Sequence, residues 1–411
     1  MRILHTADWH LGDRLGRQDR TADLRTAVEQ VAKYCHQEQV DLLLVAGDLF
    51  SELARPDSLR DTIRHWGATF SDFLHQGGTI ITLTGNHDNE VFCRTLAEAM
   101  ELAAPEAVTA DGVASRGRFY LATEPTFFRL SAPNEVQFLL MPYPTLKTYV
   151  PDGEKYSSTS AQEKYQKLMD AVVERMNQLR QSPHARPNLP MVLAAHLNVE
   201  GADIGNGLFR LSSEHDVVVK FDQLASDYTY IALGHIHKPQ VLAGQEHIRY
   251  SGSIECLDLG EHNDQKSVVI VDIDENGLST PPRVLPLQTR RVRRVLVDRP
   301  AVQLPQLMQQ YPTGCNDLVR LEVHYHSGED NLEQILKDLE VIFPHYYTRE
   351  WSEKLDLGPV MPLSQEEIRT LSFQDTVRQY AMEQLLDQPE SERNALLERL
   401  EQLLDQEATS S

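Results

Sequence analysis

The feature of this sequence that most constrains its fold is an apolar run ending in a polar loop, a pattern that occurs five times. The clearest example is VDLLLVAGDLF, from Val40 to Phe50, where a strand-length apolar run stops at Gly47 and Asp48 follows. The other loops are TADWHLG, TGNHD, AAHLN and GHIHKP, and each also follows an apolar run. Buried parallel strands carry ligands at their carboxyl ends. The pattern therefore predicts an α/β domain whose strand ends face one pocket.

These loops supply carboxylate, amide and imidazole side chains without a thiolate, a set that suits divalent metal ions and favours octahedral Mn²⁺ or Fe²⁺. We expect two ions, with Asp48 as the bridge between them. The remaining ligands divide into Asp8, His10 and His237 for one ion and Asn86, His196 and His235 for the other. Two ions about 3.5 to 4 Å apart would lower the pKa of a water and neutralise phosphoryl oxygens. The set predicts a hydrolase that cleaves phosphate esters.

Two residues next to the ligand Asn86 are candidates for supporting roles. His87 is predicted to face the substrate, where it would protonate the leaving alkoxide or stabilise the transition state. Asp88 has two interpretations: it orients His87 from behind, or it caps the loop. Arg14, Arg17 and Arg20 follow the first ligand loop and would either hold a phosphate backbone or form an ordinary solvated loop.

Composition limits the setting in which such a site would work. The formal net charge of −22 disfavours nucleic acid as a partner for the chain as a whole. Two divalent cations would nevertheless leave the pocket positive, because only two carboxylates are among the ligands. The four cysteines have no Cys-x-x-Cys spacing, and no apolar run approaches a membrane span. A strand begins close to Met1 and leaves no room for a signal peptide, so we expect a cytoplasmic protein without a membrane partner.

The order of predicted elements suggests three parts. Residues 1–286 read as the ligand-bearing domain, in which HIRYSG and SVVIVDID are expected to complete a second sheet. Residues 287–355 read as a small β-α-β-α-β unit, and residues 356–411 as two helices with leucines on one stripe. That stripe either docks on its own chain or binds the coiled coil of a partner.

The motifs DWHLG, GDLF, GNHD, a His after a strand, and GHIH resemble the calcineurin-like metallophosphoesterase superfamily. Within it, RILHTADWHLGDRL, YIALGHIHKPQ and RYSGS are similar to the SbcD family of bacterial exonuclease subunits. The resemblance implies a four-layer α-β-β-α sandwich with a small α+β capping domain and C-terminal helices. It also implies Mn²⁺ as the metal, DNA ends and hairpins as substrates, and an SbcC-type coiled-coil ATPase bound through the C-terminal helices. A homodimer within a heterotetramer, associated with the nucleoid, follows from the same resemblance.

The resemblance further implies ATP-dependent 3′ to 5′ exonuclease activity on duplex DNA together with endonuclease activity on single strands and hairpins. Archaeal and eukaryotic relatives carry a His three residues after the bridging Asp, whereas this chain has Ser51. A second catalytic His is therefore not expected, as in the bacterial branch. Two alternatives remain at this point: a phosphodiesterase that acts on small nucleotides, and a catalytically inert scaffold that binds DNA ends.

Overall fold

The computed structural model describes residues 1–51, 54, 56–103, 112–131, 133–150, 160–205, 217–224, 228–354, 396, 397, 399 and 400. The chain divides into two units, Met1–Glu353 and Lys354–Ser411. The predicted C-terminal helices of residues 356–411 lie outside the described residues, apart from the helical positions 396, 397, 399 and 400. Their role and the boundaries at 286 and 355 stay predictions.

The secondary structure follows the predicted alternation of strands and helices. The strands are β1 Arg2–Thr6, β2 Arg14–Leu15, β3 Gln18–Asp19, β4 Leu42–Val45, β5 Thr79–Leu83, β6 Val113–Ala114, β7 Phe119–Ala122, β8 Thr126–Leu130, β9 Val136–Met141, β10 Met191–His196, β11 Asn198–Val199, β12 Val218–Val219, β13 Tyr230–Gly234, β14 Gln240–Leu242, β15 Gln245–Tyr250, β16 Ser267–Asp274, β17 Gly277–Leu278, β18 Arg283–Pro286, β19 Val292–Val297, β20 Leu318–Tyr325 and β21 Tyr346–Glu353. The helices are α1 Thr21–Gln37, α2 Pro56–His75, α3 Glu90–Ala103, α4 Leu146–Tyr149, α5 Ala161–Arg180, α6 Phe221–Leu224, α7 Pro300–Gln310 and α8 Leu332–Ile342.

Two seven-stranded sheets form the centre of the ligand-bearing domain. The first has the order β17-β16-β1-β4-β5-β7, with β18 also paired to β16, and the second has the order β14-β15-β13-β10-β9-β8-β6. In the first sheet β1, β4, β5 and β7 are parallel, and in the second β9, β10, β13 and β15 are parallel. The prediction for SVVIVDID was wrong in one respect, because this segment is β16 and pairs antiparallel with β1 in the first sheet.

The two sheets pack face to face and each is covered by helices on its outer side, which gives the predicted four layers. The apolar stripe of α1, including Leu24, Val28 and Val31, is buried against the first sheet. Between the sheets, Leu42 and Leu44 of β4 share a fully buried cluster with Phe138 and other residues of the second sheet. Side chains of α5 join a third cluster on the far side of the second sheet. Burial of these faces is the main force that holds the strand ends together.

The small predicted unit is a three-stranded parallel sheet, β19-β20-β21, with α7 and α8 packed on one face. It contacts the hairpin of β2 and β3, where Gln18 Nε2 donates to the Tyr346 carbonyl at 2.9 Å and the Arg17 backbone N–H donates to the Tyr347 carbonyl at 3.2 Å. This hairpin follows the loop that carries Asp8 and His10. Among the described residues, no helix has the length and apolar character that a membrane crossing requires.

Candidate metal centre

Two of the predicted ligand loops lie side by side because the strands before them are neighbours. β1 and β4 pair in parallel, and the pairing continues past their ends. The Asp8 backbone N–H donates to the Gly47 carbonyl at 3.0 Å, and the His10 backbone N–H donates to the Asp48 carbonyl at 3.0 Å. These backbone hydrogen bonds hold the main chain of Asp8 close to that of Asp48, the two carboxylate ligands.

The backbone in these loops is unusual. Asp8, His10, Asp48 and His235 have positive φ angles of 54°, 45°, 51° and 93°. This left-handed region is unfavourable for residues with a side chain, and such strain gathers at functional sites. The chain also passes very close to the ligands, because a Cβ at Gly47 would lie 2.1 Å from His196 Nδ1. A glycine is required there, which explains the Gly in GDLF.

The first half-site consists of Asp8, His10 and His237, whose ligand atoms lie within 4.8 Å of one another. The Nε2 atoms of His10 and His237 are 3.2 Å apart. Asp8 Oδ1 accepts from the His235 backbone N–H at 3.0 Å, while its Oδ2 is buried and has no hydrogen-bond partner. A carboxylate oxygen buried in this way is costly unless a cation or a donor reaches it.

The second half-site consists of Asn86, His196 and His235. Asn86 Oδ1 lies 3.0 Å from His196 Nε2 and 2.9 Å from His235 Nδ1. His196 comes from the second sheet, yet its Nδ1 donates to the Ala46 carbonyl of the first sheet at 2.8 Å. That bond leaves Nε2 of His196 facing the cluster.

Asp48 lies between the two half-sites. Its Oδ2 is 3.5 Å from His10 Nε2 and 3.2 Å from His196 Nε2. Ligand atoms at right angles around one ion, each about 2.1 Å from it, are about 3 Å apart, which matches these separations. The spacing and the unpartnered Asp8 oxygen fit a pair of divalent cations, and the division of the ligands between the two ions stays a prediction.

Burial and charge set the protonation of the cluster. Burial lowers the pKa of His10 to about 3. Burial also lowers the pKa of His196, but the Asp48 carboxylate outweighs it and raises this pKa to about 9. For Asp48 itself, burial raises the pKa, and the imidazoles of His196 and His10 then hold it below its usual range. The cluster without metal therefore keeps Asp48 ionised and carries a proton on His196.

The structure separates the predicted roles of His87 and Asp88. His87 is half-buried at the edge of the cluster, 4.9 Å from His10 between ring centroids, and its backbone N–H donates to Asp48 Oδ1 at 2.8 Å. Asp88 accepts from the backbone N–H groups of Leu49 and Phe50 at 3.2 and 2.8 Å, and from that of Gly85 at 2.8 Å. These contacts match the interpretation in which Asp88 caps the loop.

Ser51, at the position where some relatives carry a His, is buried, and its hydroxyl donates to Asp13 Oδ1 at 3.1 Å. The three arginines after the first loop differ in exposure. Arg14 and Arg17 each have half-exposed side chains, and their DNA contacts stay predictions. The prediction of a DNA contact for Arg20 was wrong, because only 1% of its side chain is exposed and its guanidinium pairs with Glu255 and Asp23.

Three residues that support the proposed ligands were not predicted from the sequence: Glu261, Lys266 and Tyr143. Glu261 Oε1 lies 2.8 Å from His237 Nδ1, and Lys266 lies behind Glu261. Tyr143 packs its ring against His235 with centroids 5.4 Å apart. Glu261 is in a short polar stretch, LGEHND, and neither spacing nor an apolar run marks it. Its link to His237 arises only from the fold.

Comparison with known proteins identifies the family. The family model of the calcineurin-like phosphoesterases matches residues 1–239. Three similar relatives are each named as the SbcD component of the nuclease SbcCD. They are 26% identical over 83% of both chains in Escherichia coli strain K12, 27% over 69% of both in Bacillus subtilis strain 168, and 29% over 70% of this chain and 69% of the other in Rhodobacter capsulatus.

Two solved structures are also similar. They are TT1561 of Thermus thermophilus, at 14% identity, and a dimetal phosphatase from Danio rerio, at 10%. Each has a TM-score of 0.37, and each match covers 70% of this chain and 99% of the other. The family match over more than half of the chain confirms the predicted enzyme class, a metal-dependent hydrolase of phosphate esters. This chain belongs to the calcineurin-like phosphoesterase family.

Proposed function

We propose that the chain is a two-metal DNA nuclease subunit that processes DNA ends in repair and recombination. Its proposed activities are ATP-dependent 3′ to 5′ exonuclease action on duplex DNA and endonuclease action on single strands and hairpins. The observation that carries this proposal is the meeting of the five loops around Asp48, which lies 3.5 and 3.2 Å from ligands of the two half-sites. The names of the three relatives, which match along much of the chain, support a nuclease.

Each side chain has a place in the proposed chemistry. Two divalent cations, Mn²⁺ in this proposal, would supply a water of lowered pKa and neutralise charge on the phosphate. Asp48 is shared between the half-sites, and Asp8 brings the only other carboxylate of the ligand set. His87 stands at the edge, where its half-buried imidazole can reach a bound phosphodiester and donate a proton to the leaving alkoxide.

The same proposal includes the partners. Residues 356–411 would bind the coiled coil of an SbcC-type ATPase, and two copies of this chain would form a homodimer within a heterotetramer. The assembly would work in the cytoplasm at the nucleoid. Arg14 and Arg17, next to the first ligand loop, would contact the phosphate backbone and supply local positive charge in a chain whose net charge is −22.

The test of the proposal is the His87→Ala variant with single-stranded DNA and Mn²⁺. We expect cleavage to fall about 10²- to 10⁴-fold, because the leaving alkoxide loses its proton donor. Mn²⁺ affinity should stay near that of the unmodified chain, since His87 is not among the proposed ligands. His75→Ala is the matched control, because His75 is exposed at the end of α2, and it should cleave normally. Normal cleavage by His87→Ala would refute the role of His87.

A substrate panel distinguishes the alternatives. The unmodified chain should cleave single-stranded DNA with Mn²⁺, and duplex DNA in the presence of the ATPase and ATP. Turnover of cyclic AMP without any cleavage of DNA would establish the small-nucleotide phosphodiesterase instead. Binding of DNA ends without turnover of any phosphodiester, including bis-p-nitrophenyl phosphate, would establish the inert scaffold.

A further inference from the structure

A carboxylate behind His237 determines which of its ring nitrogens carries the proton. Glu261 Oε1 lies 2.8 Å from His237 Nδ1. An ionised carboxylate only accepts, so Nδ1 is the donor and the lone pair belongs to Nε2. That Nε2 is the atom 3.2 Å from His10 Nε2 in the first half-site. The contact therefore stabilises the tautomer of His237 whose Nε2 lone pair can bind a cation.

Glu261 is itself held at both oxygens. Its Oε2 accepts from the Ser253 hydroxyl at 3.1 Å, from the Leu257 backbone N–H at 3.2 Å and from Lys266 Nζ at 2.7 Å. The residue ends a short 3₁₀ helix, Leu259–Glu261, and is buried. The Glu261 side chain therefore has little freedom to rotate, and its contact with Nδ1 restricts the orientation of the His237 ring.

Lys266 contacts both Glu261 and His237. Its side chain has no exposed surface, and Nζ donates to the His237 carbonyl at 2.9 Å and to Asp264 Oδ2 at 3.2 Å. Buried charges carry a large desolvation penalty, and apolar residues of similar volume often stabilise a fold as well or better. The charged pair of Glu261 and Lys266 therefore points to a requirement of the site rather than of the fold.

We propose that Glu261 is a positioning residue of the metal centre, which fixes the tautomer and orientation of His237 while Lys266 secures both residues. This inference rests on the metal site of the proposed function. A hydrogen-bonded partner behind a ligating His typically accounts for a 10- to 100-fold effect on metal affinity. Glu261 and Lys266 would hence act on cation binding in the first half-site.

The experiment compares Glu261→Gln with the unmodified full-length chain in Mn²⁺ titration calorimetry. The amide can accept from His237 through Oε1, but its NH₂ group then faces the Lys266 ammonium, so one of the two contacts is lost. We expect the Mn²⁺ affinity of the first half-site to fall about 10- to 100-fold. The Mn²⁺ concentration needed for half-maximal cleavage should rise by a similar factor. At saturating Mn²⁺, kcat should change by less than about threefold, because the groups that act on the substrate are intact.

Two further variants separate this role from a general loss of folding. The double variant Glu261→Met with Lys266→Met removes the acceptor of the His237 Nδ1–H together with the buried ammonium, and it leaves only the partly exposed Asp264 without its Lys266 contact. It should show the same loss of Mn²⁺ affinity, because apolar residues of similar volume can replace a buried charged pair without unfolding the chain. Glu255→Gln is the matched control, because Glu255 is also a buried carboxylate, and its oxygens pair with Arg20 and accept from the Arg290 backbone N–H. Its Mn²⁺ affinity should be unchanged.

The outcomes also separate this inference from the proposed function. Mn²⁺ affinity within twofold of the unmodified chain in both Glu261 variants would overturn the inference, even if the chain cleaves DNA. Conversely, a chain whose Mn²⁺ affinity depends on Glu261 but which cleaves no DNA would leave the inference standing and defeat the proposed nuclease. An unmodified chain that binds no Mn²⁺ would overturn both.

Discussion

The two half-sites of the metal centre are built differently, although loops at the strand ends of both sheets contribute to each. The first half-site has a carboxylate ligand, Asp8, and all of its side chains are largely buried. Behind it are the charged residues Glu261 and Lys266. The second half-site has a neutral amide, Asn86, which is exposed. Behind its His196 is a backbone carbonyl, that of Ala46.

This difference indicates that the two ions would not bind equally. Carboxylates near a site raise its attraction for a divalent cation, and a rigid, buried site requires less ordering of its ligands when it binds. The first half-site has both advantages, so we expect it to hold the tighter ion. The second half-site, open at Asn86, would exchange its ion more readily.

The largest expected effect comes from the residue that the half-sites share. Asp48→Asn keeps the size of the side chain but removes its charge, so affinity should fall at both half-sites. Cleavage should fall by about 10³-fold or more, because metal ions contribute several kcal/mol to transition-state stabilisation. Mn²⁺ titration and single-turnover cleavage measure the two effects. Asp272→Asn, a change in a surface ion pair with Arg2, is the control. Retention of one normal tight Mn²⁺ by Asp48→Asn would show that Asp48 is not shared.

A smaller and selective effect should separate the half-sites. His235→Ala should lower affinity for the weaker Mn²⁺ by at least about tenfold and leave the tighter ion in place. His237→Ala should instead weaken the tighter ion, because it removes a ligand from the first half-site. Electron paramagnetic resonance of bound Mn²⁺ counts the ions in each variant. The reverse result, with the tighter ion lost in His235→Ala, would invert the comparison.

The last effect concerns pH. The pKa of His196 is raised to about 9 because Asp48 stabilises its protonated form more than burial disfavours it. A metal ion needs the neutral imidazole, so Mn²⁺ displaces this proton at neutral pH. Affinity at the second half-site should therefore fall about tenfold for each unit that the pH drops below about 9. Calorimetry in two buffers of different ionisation enthalpy measures the released proton, and an affinity independent of pH from 6.5 to 8.5 would contradict this assignment.

Much of this centre could be predicted from sequence, because its ligands directly follow apolar strands. Asp48 after β4 and His196 at the end of β10 illustrate this: a parallel strand fixes where the residue after it must lie. The four-layer arrangement was implied by the family resemblance, but the α/β class follows from the alternation of strands and helices in the same way. In each case the information is local in the chain.

What could not be predicted depends on contacts between distant segments. The apolar pattern of β16 indicates a strand, but the same pattern fits either sheet, and only its pairing with β1 decides the matter. Arg20 looks like its neighbours in the sequence, and its burial arises from Glu255, far along the chain. Glu261 contacts His237 across a separation of 24 residues through a polar turn.

The close approach at the two glycines of the ligand loops has a further consequence. A methyl group at Gly47 would lie 2.1 Å from His196 Nδ1, and one at Gly85 would lie 2.1 Å from Asp48 Oδ1. The main chain itself therefore packs directly against two of the proposed ligands and limits where their side chains can lie. A ligand variant would leave both glycines in place, so we expect the backbone to keep restricting the ligand side chains that remain.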